Sequence, residues 1–178
     1  MNIIENLEKY TEYARGEESL KCKLEYEDID LSNIDFSKYD LNNSFFGGVE
    51  FLLCDFSNVY LSGSNFGGSS MKECILNKNI IRKATWDDMI LESMKINLMD
   101  AFRTSFMYGK FTDIIFNKCF LEKCSFANSE LINVYFVECT VIDTDFTECR
   151  LEDVHFKGCK MENTKFDEDT DNHTVFFD

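Results

Sequence analysis

Eight cysteines and two histidines are the residues of this chain best able to do chemistry, and their spacing decides what chemistry is open. The cysteines are Cys22, Cys54, Cys74, Cys119, Cys124, Cys139, Cys149 and Cys159; the histidines are His155 and His173. No two cysteines form the Cys-x-x-Cys pair that brings two thiolates to one zinc ion, so no metal site is expected. Neither histidine belongs to a recognisable triad, and a solvated imidazole is the reading for both. A phosphate-cradling loop, a dinucleotide fingerprint, a His-Glu-x-x-His helix and a nucleophile elbow are all missing from the sequence. Neither an enzyme nor a cofactor is therefore expected.

The cysteines take their meaning from the pattern around them. From Tyr26 to Phe166 every fifth residue is apolar, through Leu31, Phe36, Leu41, Phe46 and onward without exception. In a chain that is 44% hydrophobic, chance agreement over that run is on the order of 10⁻¹⁰. Thirteen of the 18 phenylalanines lie in this one register. Two positions earlier, a second register is mostly small: Ser44, Cys54, Ser64, Ser69, Cys74, Ala84, Cys119, Cys124, Ser129, Cys139, Thr144, Cys149 and Cys159. Seven of the eight cysteines fall there, which makes them packing residues that behave as small hydrophobes. Disulfides between stacked coils are within reach, yet a reducing compartment would keep the thiols free.

A period of five suits neither a helix nor a strand. It suits a chain that turns a corner every five residues and sends one large and one small side chain inward on each side. Four corners return the chain above its start after 20 residues, and the sequence obeys that arithmetic. Positions 26, 46, 66, 86, 106, 126, 146 and 166 are all aromatic, while 41, 61, 81, 101, 121, 141 and 161 are all aliphatic. Gly47-Gly48 and Gly67-Gly68 are 20 apart and suggest two permissive corners, one above the other.

Passages such as Asn33-Ile34-Asp35-Phe36-Ser37 and Thr144-Asp145-Phe146-Thr147 carry a specific resemblance. The sequence resembles the pentapeptide-repeat family over residues 22–167, with departures mainly at the Asp/Asn position. The resemblance implies an all-β fold, a right-handed quadrilateral parallel β-helix of about seven coils. The domain organisation that follows is a capping helix and linker at 1–21, the solenoid at 22–167 and an acidic tail or cap at 168–178. Within the family, the resemblance to Qnr-like quinolone-resistance proteins implies DNA mimicry toward gyrase or a related type II topoisomerase.

Ile3, Leu7, Tyr10 and Ala14 follow helical spacing, Asn2 with Glu5 can cap the helix, and Gly16 can end it. Such a helix would cover the open first coil. At the other end, Val175, Phe176 and Phe177 are expected either to fold over the last coil or to contact a second copy in a homodimer. In the middle, Met89, Met94 and Met99 take small positions and Ala101 a large one, so a bulge or distortion is expected near 84–104.

The net charge of −15 sets nucleic acid and anionic membranes aside as partners, since both are polyanions. No run of apolar residues is long enough to cross a membrane, and the N-terminus lacks a basic leader followed by an apolar core, so a cytoplasmic location is expected. Residues 22–71 carry −6 and 119–167 carry −5, but 72–118 carry +2. That interrupts the line of negative charge a DNA mimic needs. The remaining surface feature is apolar: Tyr60, Ile80, Phe102, Phe120 and Ile142 point outward on successive coils of the aliphatic side. The expectation is a non-catalytic binding protein: a DNA-mimic modulator or protector of a topoisomerase, or else an interaction or structural scaffold for an unrelated protein partner, the reading that the apolar stripe favours.

Overall fold

A chain that alternates inward and outward side chains and then turns a corner can make only short straight segments. A computed structural model of the chain describes residues 2–16, 22–168 and 175–177. It is a parallel β-solenoid of about seven turns with one short N-terminal helix. Every coil pairs with the next at an offset of 20 residues, as in Leu131 opposite Phe111 and Leu151. Main-chain bonds run up and down the rod: Phe36 N donates to Asp55 O at 2.7 Å, and Asp55 N donates to Ile34 O at 2.9 Å.

Two aromatic columns fill the interior. Phe116, Phe136 and Phe156 stack within 4° of parallel with centroids 4.9 and 4.7 Å apart. Phe126 and Phe146 stack likewise at 5.0 Å, and the two columns meet edge to face, as in Phe126–Phe136 at 84°. This arrangement suits ring quadrupoles, which favour offset stacks and edge contacts.

The corners are the cost of the geometry. From Asp28 to Asn163, every fifth residue except Lys38 adopts a left-handed backbone, with φ between 50° and 69°. The two Gly-Gly pairs are therefore not special corners. Only Gly48 and Gly68 are left-handed, and Leu53, Tyr108 and Arg103 do the same without glycine's freedom. The coil-to-coil pairing holds them there, because most such residues also donate to the coil above, as Leu53 N does to Lys72 O at 3.1 Å.

No bulge interrupts the middle. Ile90–Asn97 forms one eight-residue strand that turns its corner at Ser93 (φ 54°) and pairs in register with Lys110–Asn117. Met89, Met94, Met99, Ala101 and Trp86 are all buried in one core. Methionine side chains adapt to irregular interior space, and the register survives the unusual residues.

Both ends are covered. The helix Ile3–Ala14 starts at Asn2, whose side chain accepts from Ile4 N at 3.2 Å, and Gly16 follows it at φ 105°. Leu7, Tyr10 and Thr11 are buried against the first coil, whereas Ala14 faces solvent. Thr11 rather than Ala14 completes the inner face because its hydroxyl accepts from Asp40 N at 3.1 Å. At the other end Val175–Phe177 pairs with Val154–Phe156, now at an offset of 21.

Candidate interaction surface

The side whose inward column is Leu61, Ile81, Ala101, Leu121 and Val141 carries the apolar stripe. Outward residues flank that column on both edges. On one edge Tyr60, Ile80, Asp100, Phe120 and Thr140 are successive partners, and on the other Phe102, Glu122 and Ile142 occupy the matching positions across the column. The five stripe residues thus share a side but alternate between two edges, and Asp100 stands between Ile80 and Phe120. Tyr60 is 53% exposed, while Ile80, Phe102, Phe120 and Ile142 are half-buried.

Phe102 is covered by cations rather than by neighbouring apolar groups. The Arg103 guanidinium lies 5.1 Å and the Lys123 ammonium 5.6 Å from its ring centroid. Below it, Ser62 and Gly63 are small and leave a notch walled by Tyr60, Arg82, Lys83 and Phe102. Arg82 reaches across the column to Asp100, with Nε–Oδ2 at 2.9 Å. That pair is exposed, and it holds the guanidinium above its ordinary range through hydrogen bonding to the carboxylate. The charged residues here did not stand out as a group in the sequence; the 20-residue step from Lys83 to Arg103 to Lys123 is the signal that locates them.

Apolar exposure alone does not single out this side. Leu52, Ile75, Ile90, Tyr108 and Ile115 are also exposed, on other sides. The Tyr60–Phe102 region adds to its apolar exposure a concave notch in which aromatic walls and cations coincide.

His155 departs from the expectation of a solvated ring. It lies between Tyr135 and Phe176, with centroids 4.6 and 4.4 Å away and nearly parallel planes, and its Nε2 is 2.8 Å from Asp153 Oδ1. The tail brings this about, since pairing of Val175–Phe177 places Phe176 over the imidazole. Val175 is buried, and Phe177 rests on Phe156 and Phe166 yet stays 55% exposed. His173 lies outside the described residues.

The cysteines are packed, and they also donate. Cys139 Sγ donates to Phe116 O at 3.3 Å and Cys149 Sγ to Phe126 O at 2.9 Å. Ser129 and Thr144 make the same bond, to Phe106 O at 2.9 Å and Leu121 O at 2.8 Å. The small register therefore prefers Ser, Thr or Cys because a donor there satisfies a carbonyl of the coil below. Burial pushes the Cys124 thiol up to about 12 and that of Cys149 up to about 11. Protonated thiols are poor nucleophiles and poor metal ligands. Among the described residues, no three His, Cys, Asp or Glu side chains are placed to hold a metal ion, and no helix is long and apolar enough to cross a membrane.

Stacked five-residue sides, a left-handed corner after each and an inward aromatic register define a pentapeptide solenoid. Two family profiles match, pentapeptide repeat region over residues 103–176 and pentapeptide repeats over residues 54–85. Together they span more than half of the sequence, and the chain belongs to the pentapeptide-repeat family. No curated protein matches. Among solved structures, HetL, a pentapeptide repeat protein involved in heterocyst differentiation regulation from Nostoc sp. strain PCC 7120, is similar. It is 12% identical with a TM-score of 0.45, over 93% of this chain and 94% of that one. QnrB1, a plasmid-mediated fluoroquinolone resistance protein, is 14% identical with a TM-score of 0.34, over 80% and 91% of the two chains. A pentapeptide repeat protein of the Arabidopsis thaliana thylakoid lumen is 15% identical with a TM-score of 0.30, over 72% and 66%.

Proposed function

We propose that the protein is a non-catalytic binding module whose partner is another protein, docked on the side bearing Tyr60, Ile80, Phe102, Phe120 and Ile142. The observation that carries this reading is the notch beside Phe102, where half-buried aromatic surface and charged groups converge. Tyr and Arg are the side chains most often found at the energetic centre of protein interfaces, because each offers a large rigid contact with a polar end. Burial keeps the Cys124 and Cys149 thiols protonated, and the His155 ring is stacked beneath Phe176, so none of these three side chains is poised for catalysis.

The topoisomerase reading has weaker support. Seven coils at about 4.8 Å make a rod about 34 Å long, against which duplex DNA carries roughly 20 charges. The total of −15 is of that order. Yet no outward column carries carboxylates through residues 72–118: Asp35 and Asp55 give way to Ile75 and Lys95, and the neighbouring column is cationic at Lys83 and Arg103.

Two experiments test these readings. Phe102→Ser and Phe120→Ser, each checked for unchanged thermal unfolding, are compared with the parent in cross-linked pull-down and in light scattering. Loss of a defined partner or of a defined oligomer is expected; if neither variant changes either measurement, this side is not the docking surface. A gyrase supercoiling assay, with and without a quinolone, decides the topoisomerase reading. Neither inhibition nor protection is expected at micromolar protein, and either effect would restore that reading.

A further inference from the structure

We infer that the docking side takes an acidic segment of a partner protein, with one apolar side chain of that segment in the notch between Tyr60 and Phe102 and its carboxylates on Lys83 and Arg103. This rests on the reading of that side as the docking surface and adds the chemistry of what docks.

Charge complementarity points to this occupant. Lys83, Arg103 and Lys123 occupy the same corner of three successive coils, all with left-handed backbones. Partnered coils lie about 4.8 Å apart, so three like charges are held one above another, an arrangement that disfavours the unbound state. A chain of net charge −15 has many carboxylates with which to neutralise such a column. It does so only in part. Arg82 is engaged by Asp100 at 2.5 Å and Lys123 by Glu122 at 3.3 Å. Among the described residues, no carboxylate lies at ion-pair distance from Lys83 or Arg103, and Arg103 rests over the Phe102 ring instead. Two uncompensated cations therefore stand beside an aromatic-walled notch.

The shape fits the charge. Ser62 and Gly63 leave room for one side chain, Tyr60 and Phe102 give it apolar walls, and the Asn42 and Asn43 side chains close the lower edge. Asn42 Oδ1 is already engaged by Ser62 N at 2.7 Å, so the notch floor is held in place. A segment with an aromatic or branched residue flanked by Asp or Glu satisfies both the walls and the cations. A nucleic acid would match the cations and could stack on the rings, but its charge extends beyond them. It would meet the acidic coils on either side within about one Debye length, about 8 Å at physiological salt. A short acidic peptide, with its few carboxylates over Lys83 and Arg103, meets less of that repulsion than a longer polyanion.

Fluorescence anisotropy with defined probes tests the inference on the full chain. The probes are a short Glu-rich peptide with one central Phe, the same peptide with Ser for Phe, a Lys-rich peptide with the central Phe, and an oligothymidylate. The Glu/Phe peptide is expected to bind best and to weaken as salt rises. Lys83→Glu with Arg103→Glu should weaken it by about tenfold or more, and Phe102→Ser by a similar factor. The pair Lys83→Gln with Arg103→Gln, which removes charge without reversing it, should fall between. Unchanged binding in both charge variants, or preference for the Lys-rich peptide or the oligonucleotide, overturns the inference. If pull-down of the natural partner depends on Phe102 but not on Lys83 and Arg103, the docking side stands and the acidic partner falls. If it depends on none of the three, both fall.

Discussion

At the scale of single residues, the fold asks most of the corner positions. Leu53 has φ 56° and is 48% exposed, so it bears the left-handed backbone without packing its side chain. Asn tolerates that conformation better than Leu, because its short side chain can hydrogen-bond locally. Leu53→Asn is accordingly expected to stabilise the chain by about 0.5–1 kcal/mol, read as a higher denaturant midpoint with an unchanged slope; a lower midpoint would show that Leu53 packs against something that matters. Corner demand of this kind was only partly legible. Asn33, Asn43 and Asn58 hint at it, but Lys83, Glu73 and Tyr108 do not, since only the closed coil obliges them to turn left-handed. The cysteines were legible as a register of small inward residues. Their role as donors to the coil below was not, because the acceptor, such as Phe116 O for Cys139, lies 23 residues earlier in sequence.

At the scale of elements, the N-terminal helix is held to the solenoid by a few specific contacts. Tyr10 donates to Asn42 O, Thr11 accepts from Asp40 N, and Asn6 donates to the Tyr26 hydroxyl at 2.9 Å. Burial, and then the charge of Asp40, push the Tyr10 hydroxyl up to about 12 from the ordinary 10.0. The raised value means that the folded state favours the neutral phenol. Its stabilising contribution is complete below about pH 10 and is lost as pH rises toward 12. Tyr10→Phe should lower stability at neutral pH by about 1 kcal/mol through the lost hydrogen bond. It should also flatten the alkaline fall in stability between pH 10 and 12. An equally steep alkaline transition in the variant would assign that transition to other groups. The helix was readable from its spacing, yet which residue completed its inner face was not. Thr11 replaces Ala14 there because the first coil presents an unsatisfied amide at Asp40.

At the scale of the whole molecule, each coil touches only its neighbours, so stability is close to a sum of coil and interface terms. The middle coils are paired on both sides, and Ala101 is buried there without a break in register. Amide exchange in Ile90–Asn97 should therefore be as slow as in Lys110–Asn117, with faster exchange at the two end coils near Glu25–Glu27 and Lys160–Glu162. Faster exchange in Ile90–Asn97 than at the ends would mean that the methionines fill the centre loosely. What the sequence determined by itself is the number of sides, the 20-residue step and the identity of every inward column. An inward position repeats at a fixed interval, and burial tolerates only apolar or small donor side chains there. The tertiary structure alone decided what the outward residues do. Long polar side chains have many rotamers, and their neighbours sit on other coils or across a column. So Arg103 lies over Phe102, Arg82 reaches Asp100, and His155 is roofed by Phe176 only once the coils are stacked and the tail is paired one residue out of the 20-residue step.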